Sequence, residues 1–192
     1  MSVIILLLIS YLIGSIPFGY LCVYLYENQD IREYGSGNIG ATNVYRKSGL
    51  WLALAVFILD GLKGLLIALV ALKFGFSIKQ QYLISYFAIL GHCYSIFLNF
   101  KGGKAISTSI FVVSFFSYKL ALIMLFCWII IFLITKISSL ASLLALFIGF
   151  FLSLFIETQE FTQFLFFVLI LVVLKHKENI KRIVQNKESK II

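Results

Sequence analysis

Long apolar runs separated by short polar stretches recur along nearly the whole of this 192-residue chain. A helix needs about 20 apolar residues to cross a bilayer core. Within that core each backbone donor and acceptor must find its partner inside the protein. Runs of this kind admit helices and leave no way to build a water-soluble globule. Apolar residues make up 61% and charged residues 12%, against about 45–50% and about 25% in soluble domains. The expected fold is therefore all-α: a polytopic integral membrane protein with one domain over residues 1–192. A soluble enzyme, a disordered chain and a disulfide scaffold are excluded. Sixteen basic against eight acidic residues give a net charge of +8, which in a bilayer protein reports orientation and anionic ligands rather than nucleic acid.

Seven spans are expected: 2–26, 50–74, 81–98, 105–117, 119–135, 138–156 and 161–174. The first begins without a basic n-region and lacks a small-x-small cleavage site, so it reads as a permanent span. Gly14-Ser15-Ile16-Pro17-Phe18-Gly19 should kink or thin it. Residues 105–135 are too many for one crossing, and Ser117-Tyr118-Lys119 reads as the turn between two short ones. With seven crossings, the segments 27–49, 99–104, 136–137 and 175–192 share one side and carry twelve of the sixteen basic residues. The positive-inside rule places that side in the cytoplasm and the N-terminus outside.

Three polar motifs land on that face. In Gly35-Ser36-Gly37-Asn38-Ile39-Gly40-Ala41-Thr42-Asn43, alternate glycines let the backbone approach a ligand. Ser36, Asn38, Thr42 and Asn43 add uncharged polar groups, and Arg46 adds a fork suited to phosphate. The formal G-x-G-x-x-G match has no strand before it, so a dinucleotide site is not expected. Lys101-Gly102-Gly103-Lys104 sets two cations on a loop able to wrap an oxyanion, and a helix starting near Ala105 would aim its amides there. Ala105 after Lys104 excludes a Walker A loop. His176, Asn179 and Arg182 fall on one face if the last span continues as helix, with Lys181 adjacent and Glu188 beyond. His92, Ser139, Ser142 and Glu188 are candidates for substrate contact. Asp60 and Lys63, at i and i+3 within the second span, should pair; a structural ion pair accounts for them as well as catalysis does. The scattered Cys22, Cys93 and Cys127 read as small core residues. No metal-ligand set and no cofactor motif is present.

These motifs, in order and at these separations, resemble the bacterial acyl-phosphate:glycerol-3-phosphate acyltransferase (PlsY) family. The first matches through Val44-Tyr45-Arg46, the second runs from Gly91-His92 to Phe100-Lys101-Gly102-Gly103-Lys104, and the third is His176-x-x-Asn179-Ile180-Lys181-Arg182 with Glu188. Three departures stand out. Ser95 occupies a position usually held by Pro. Ala105-Ile106-Ser107-Thr108 replaces Gly-Val-Ala-Thr. Asn186-Lys187-Glu188 replaces Gly-Thr-Glu, a mild change because Asn tolerates left-handed backbone.

The resemblance implies transfer of a fatty acyl group from acyl phosphate to the 1-hydroxyl of sn-glycerol 3-phosphate. Lysophosphatidic acid and inorganic phosphate would be the products, as a step of phospholipid synthesis at the bacterial inner membrane. It implies catalytic roles for His176, Asn179, Ser36 and Asn38. Phosphate binding would fall to Arg46, Thr42, Asn43, Lys101, Gly102, Gly103, Lys104, Lys181 and Arg182. The expected state is a monomer, and a soluble acyl-phosphate-producing enzyme is a candidate partner. Either substrate phosphate or His176 could accept the proton. No His-x-x-x-x-Asp box is present: Phe97 stands five after His92, and Lys181 five after His176. The competing class is a transporter for a phosphorylated metabolite, which would need polar groups lining a path at mid-membrane. Only Asp60 and Lys63 qualify. A lipid-binding scaffold would not need His176 and Asn179 beside the cations.

Overall fold

Pro17 divides the first apolar run, as its missing donor requires. In the computed structural model, which describes residues 2–191, helix α1 (Val3–Ser15) stops before it and α2 (Phe18–Glu27) follows. Then come α3 (Ala41–Ser48), α4 (Leu50–Lys73), α5 (Ile78–Cys93), α6 (Ile106–Phe116), α7 (Tyr118–Thr135), α8 (Ser138–Ile156), α9 (Gln159–Lys175) and α10 (Lys177–Val184). Among the described residues there is no strand. Among the described residues, five segments are long and apolar enough to cross a membrane: the α1–α2 pair, α4, α5 with the turn after it, α7 and α8. The bent pair α9–α10 makes a sixth.

The chain forms two compact units, Met1–Val112 and Val113–Ile192. In the first, α1 packs along α5 with α4 beside both. The approach of α1 to α5 depends on absent side chains: a Cβ on Gly14 would overlap the Ala88 carbonyl, and one on Gly91 the Tyr11 carbonyl. Small residues at such a seam are how helices gain contact in lipid, where apolar burial offers no drive. One core, Leu6, Ile67, Ala71, Ile84 and Ala88, lies along this seam. A second, Val23, Ile31, Ile39, Val44, Val56 and Leu98, underlies the first polar motif.

In the second unit α7 pairs with α8, and α8 with α9. Bulky side chains point outward: Trp51 is 83% exposed and Phe155 84%. Patches of this kind, untenable in water, suit a lipid-facing surface.

The expected turn at Ser117 is present and is a single residue long. Ser117 caps α7 by accepting from the Leu120 amide at 3.4 Å and also donates to Glu157. Helix α6 has only 11 residues, a rise of about 16 Å. It starts well inside the bundle: Thr108 Oγ1 donates to the Asp60 carbonyl at 2.8 Å. Asp60 lies ten residues into α4, about 15 Å along it.

Candidate active site

The first motif is a loop organised by one side chain. Asn43, on the first turn of α3, is 1% exposed. Its Oδ1 accepts from the Ser36 amide at 3.0 Å. Its Nδ2 faces three carbonyls, Tyr34 and Asn38 at 2.9 Å and Ile31 at 3.2 Å. Gly35 adopts φ +56° and passes so close to Asn43 Oδ1 that a Cβ would collide with it. This corrects the expectation that Asn43 binds phosphate: its polar atoms are committed to backbone, and it shapes the loop that presents Ser36. Asn38 Oδ1 accepts from the Gly40 amide at 3.3 Å, an Asx turn leading into α3. Ser36 is exposed, and Thr42 and Arg46 are half-buried.

Two other cations of this region are held by carboxylates. Arg32 forks onto Asp30, with Nη2–Oδ2 at 2.6 Å and Nε–Oδ1 at 3.0 Å. That hydrogen-bonded guanidinium holds the Asp30 carboxyl below its ordinary range. Lys47 lies 3.4 Å from Glu27.

The second motif turns through left-handed residues, Asn99 at φ 50°, Phe100 at 62° and Ala105 at 58°. Ala105 stands where the resembled family has Gly, and the left-handed backbone there is the reason Gly suits the position. Ser95 has φ −62°, the angle Pro would impose, so Ser and Pro serve the same backbone. Its hydroxyl adds a bond to the Ser15 carbonyl at 2.5 Å, at the C-terminus of α1.

The loop folds back on His92. The Gly103 amide donates to the His92 carbonyl at 2.9 Å. A Cβ at Gly103 would strike His92 Nε2, and one at Gly102 the His92 carbonyl. Lys104 is half-buried and Lys101 exposed. His92 is 4% exposed, and its Nδ1 lies 3.4 Å from Asp60 Oδ1. The same oxygen receives Lys63 Nζ at 2.8 Å. Lys63 also donates to the Ile16 carbonyl at 2.8 Å, beside the Pro17 break. The expected Asp60–Lys63 pair thus has a third member that helical spacing cannot reveal. Gly-Gly beside a buried histidine is the signal that could have suggested it.

The third motif does not continue its helix straight. The α9 and α10 axes differ by 64°, and the joint is His176 itself, at φ −99° and ψ 6°. The straight continuation expected of the helix is corrected accordingly, while Asn179 and Arg182 share one face of α10 and meet the same carboxylate, Glu188. His176 is 2% exposed, and its Nδ1 lies 2.8 Å from the Val172 carbonyl. A carbonyl only accepts, so Nδ1 carries the proton and Nε2 of the neutral ring keeps its lone pair.

Helix α10 ends in a Schellman motif. The Asn186 amide bonds to the Ile183 carbonyl at 3.0 Å and the Lys187 amide to the Arg182 carbonyl at 2.8 Å, with Asn186 at φ 55°. The tail then returns. Glu188 accepts from Arg182 Nε at 2.6 Å and Ser139 Oγ at 2.7 Å, and from the Asn179 amide. Burial pushes the Glu188 carboxyl up, but the three donors outweigh it and hold it below its ordinary range. Glu188 and Ser139 are therefore partners that fix Asn179 and Arg182, and a carboxylate here would repel a substrate phosphate. Ser142 is buried and accepts from Trp128 Nε1 at 3.0 Å, in the α7–α8 packing, which leaves its hydroxyl hydrogen to donate. Lys181 is exposed. Among the described residues, no three His, Cys, Asp or Glu side chains gather as a metal site would require.

Comparison with known proteins is consistent with these motifs. Residues 4–186 match the family described as glycerol-3-phosphate acyltransferase. A glycerol-3-phosphate acyltransferase of Ehrlichia canis is 41% identical over 97% of each chain. Glycerol-3-phosphate acyltransferase 2 of Bacillus anthracis is 39% identical, again over 97% of each. The crystal structure of PlsY, an integral membrane glycerol 3-phosphate acyltransferase, in its glycerol 3-phosphate form superposes with a TM-score of 0.93 at 36% identity, covering 100% of this chain and 96% of that one. The glycerol-3-phosphate acyltransferase family, in its PlsY branch, is the family to which this chain belongs.

Proposed function

We propose that this protein transfers a fatty acyl group from acyl phosphate to the 1-hydroxyl of sn-glycerol 3-phosphate, releasing lysophosphatidic acid and inorganic phosphate. The observation that carries the reading is the whole-chain likeness to the glycerol 3-phosphate form of PlsY, in a chain that keeps all three polar motifs. The family match runs through both compact units, which supports reading them as one acyltransferase domain. The charge asymmetry supports seven crossings, with α6 and α9 each taken as one. It supports an outside N-terminus with the motifs on the cytoplasmic side, and the family likeness supports a bacterial inner membrane as the setting. The protein acts as a monomer in this reading, and a soluble enzyme that makes acyl phosphate supplies the donor.

The substrate hydroxyl oxygen attacks the acyl carbonyl carbon, forming the new C–O bond. The bond from that carbon to the phosphate oxygen breaks, and phosphate leaves with the electron pair. His176 Nε2 takes the hydroxyl proton, its ring oriented by the Nδ1–H bond to Val172. Asn179 and Arg182, fixed by Glu188, present donors to substrate oxygens. Arg46, Lys101, Lys104 and Lys181 neutralise phosphate, and Ser36, Asn38 and Thr42 orient oxygens around it. Phosphate is a good leaving group from a mixed anhydride, so positioning and electrostatic stabilisation supply most of the rate.

The test is phosphate release from palmitoyl phosphate by the purified protein, with and without glycerol 3-phosphate. Release that depends on glycerol 3-phosphate and is lost in His176→Ala and Lys104→Ala is expected. Equal turnover with palmitoyl-CoA in a thiol assay would overturn the donor. Uptake of glycerol 3-phosphate into vesicles without phosphate release would mark a transporter instead.

A further inference from the structure

The buried Asp60–Lys63–His92 cluster lies outside the three motifs' assigned chemistry, yet one of its members touches the second motif directly. We propose that Asp60 is a positioning residue: through His92 it sets the backbone of Gly102 and Gly103 and thereby the place of Lys104. This rests on the reading of Lys101–Lys104 as a phosphate-binding loop.

Asp60 and Lys63 side chains are 2% and 3% exposed. Within a bilayer span, ionisable groups buried to this degree are costly and are kept where they have a partner and a role. A structural ion pair needs only Asp60 and Lys63. Here Asp60 Oδ1 also faces His92 Nδ1 at 3.4 Å. An imidazole with a carboxylate at Nδ1 carries its proton there, which turns Nε2 toward the other side of the ring. On that side lies Gly103, close enough that any Cβ would collide with Nε2. The His92 carbonyl meanwhile holds the Gly103 amide at 2.9 Å. The ring and the carbonyl of one residue thus brace the same glycine, next to Lys104. The far end of the cluster is anchored by Lys63 on the Ile16 carbonyl. With one Asp and one Lys, the cluster is neutral when His92 is neutral.

The chain has two histidines, so the nitrogen-15 spectrum of imidazole-labelled protein is simple to read. The signal that survives in His176→Gln belongs to His92. Wild-type protein should show His92 protonated at Nδ1, and a spectrum with Nδ1 unprotonated overturns the proposal without any variant of the cluster.

Asp60→Asn should move that proton or broaden the signal, and should raise KM for glycerol 3-phosphate or palmitoyl phosphate at least 10-fold. The pair Asp60→Asn/Lys63→Met, which leaves no unpaired charge, should do the same if the single variant fails to fold. Thr108→Val loosens the same point of α4 without touching the carboxylate. It should lower thermal stability and leave the His92 signal and KM unchanged. An unaltered His92 signal in the Asp60 variants, or an equal KM change in Thr108→Val, overturns the proposal. Absence of glycerol 3-phosphate-dependent turnover in the wild type is a failure of the function, and the histidine spectrum still judges the positioning.

Discussion

Replacing Glu188 by Ala removes the acceptor that ties the returning tail to α8 and α10. The Glu188 side chain is 5% exposed and that of its partner Arg182 40%; Asn179 is 4% exposed. Hydrogen bonds to a charged group are worth about 1.5–3 kcal/mol each when buried, which applies to Asn179 and Ser139. The Arg182 contact, open to water on one side, adds about 0.5–1 kcal/mol. Releasing the carboxylate from its buried position recovers part of this, leaving a net loss of about 2–4 kcal/mol. The segment concerned is short, so the loss appears as local opening rather than global unfolding. Amide exchange of peptides covering residues 177–190 is the suitable assay. At about 1.4 kcal/mol per tenfold, exchange there should accelerate by about 30- to 700-fold, with α4 and α5 unaffected. A cycle with Asn179→Ala should give a coupling of about 1.5–3 kcal/mol. Protection within threefold of wild type, or strict additivity in the cycle, would refute the reasoning.

The acid dependence of the same segment follows from Glu188. Its carboxyl is held below its ordinary range in the folded state, so the stabilisation is complete above the unfolded value of about 4.3. It is lost as pH falls through the lower folded value, and the slope should vanish in Glu188→Gln. Lys104→Ala should lower turnover by about 100- to 1,000-fold if its charge acts on the transition state, with thermal stability little changed. Gly14→Val drives a branched side chain into the Ala88 backbone and should cost about 1–3 kcal/mol, read as earlier thermal inactivation in detergent. Asn186→Ala, at φ 55°, should cost about 1–2 kcal/mol, whereas Asn186→Gly should be neutral or better.

The features legible in advance were those written locally. Pro17 announces the break between α1 and α2, and Ser117 the joint between α6 and α7. Asp60 and Lys63 announce their pairing by spacing alone, and Asn186 its left-handed turn. What escaped depends on contacts across the chain. Nothing near Asn43 in sequence says that it gathers the backbone of residues 31, 34, 36 and 38; a buried amide with four polar neighbours emerges only when the loop closes. The bend at His176 is invisible because Leu174, Lys175 and Lys177 would all continue a helix. Glu188 reads from the sequence as a candidate for substrate contact, and nothing local ties it to Ser139, 49 residues away. The second motif gave a partial hint, since two glycines between lysines promise close approach, but not to what.

The spacing of Asp60 and Lys63 also bears on how α4 enters the bilayer during synthesis. A lone Asp or Lys at the centre of an inserting helix is opposed by about 2.5–3.5 kcal/mol. Two residues at i and i+3 can neutralise each other once a single helical turn has formed, before α5 is present. Helix α4, with mean hydropathy 2.2 around the pair, can therefore partition as one neutral segment. His92 joins only when α5 follows it into the membrane, so assembly of the cluster reports that the two spans have met correctly.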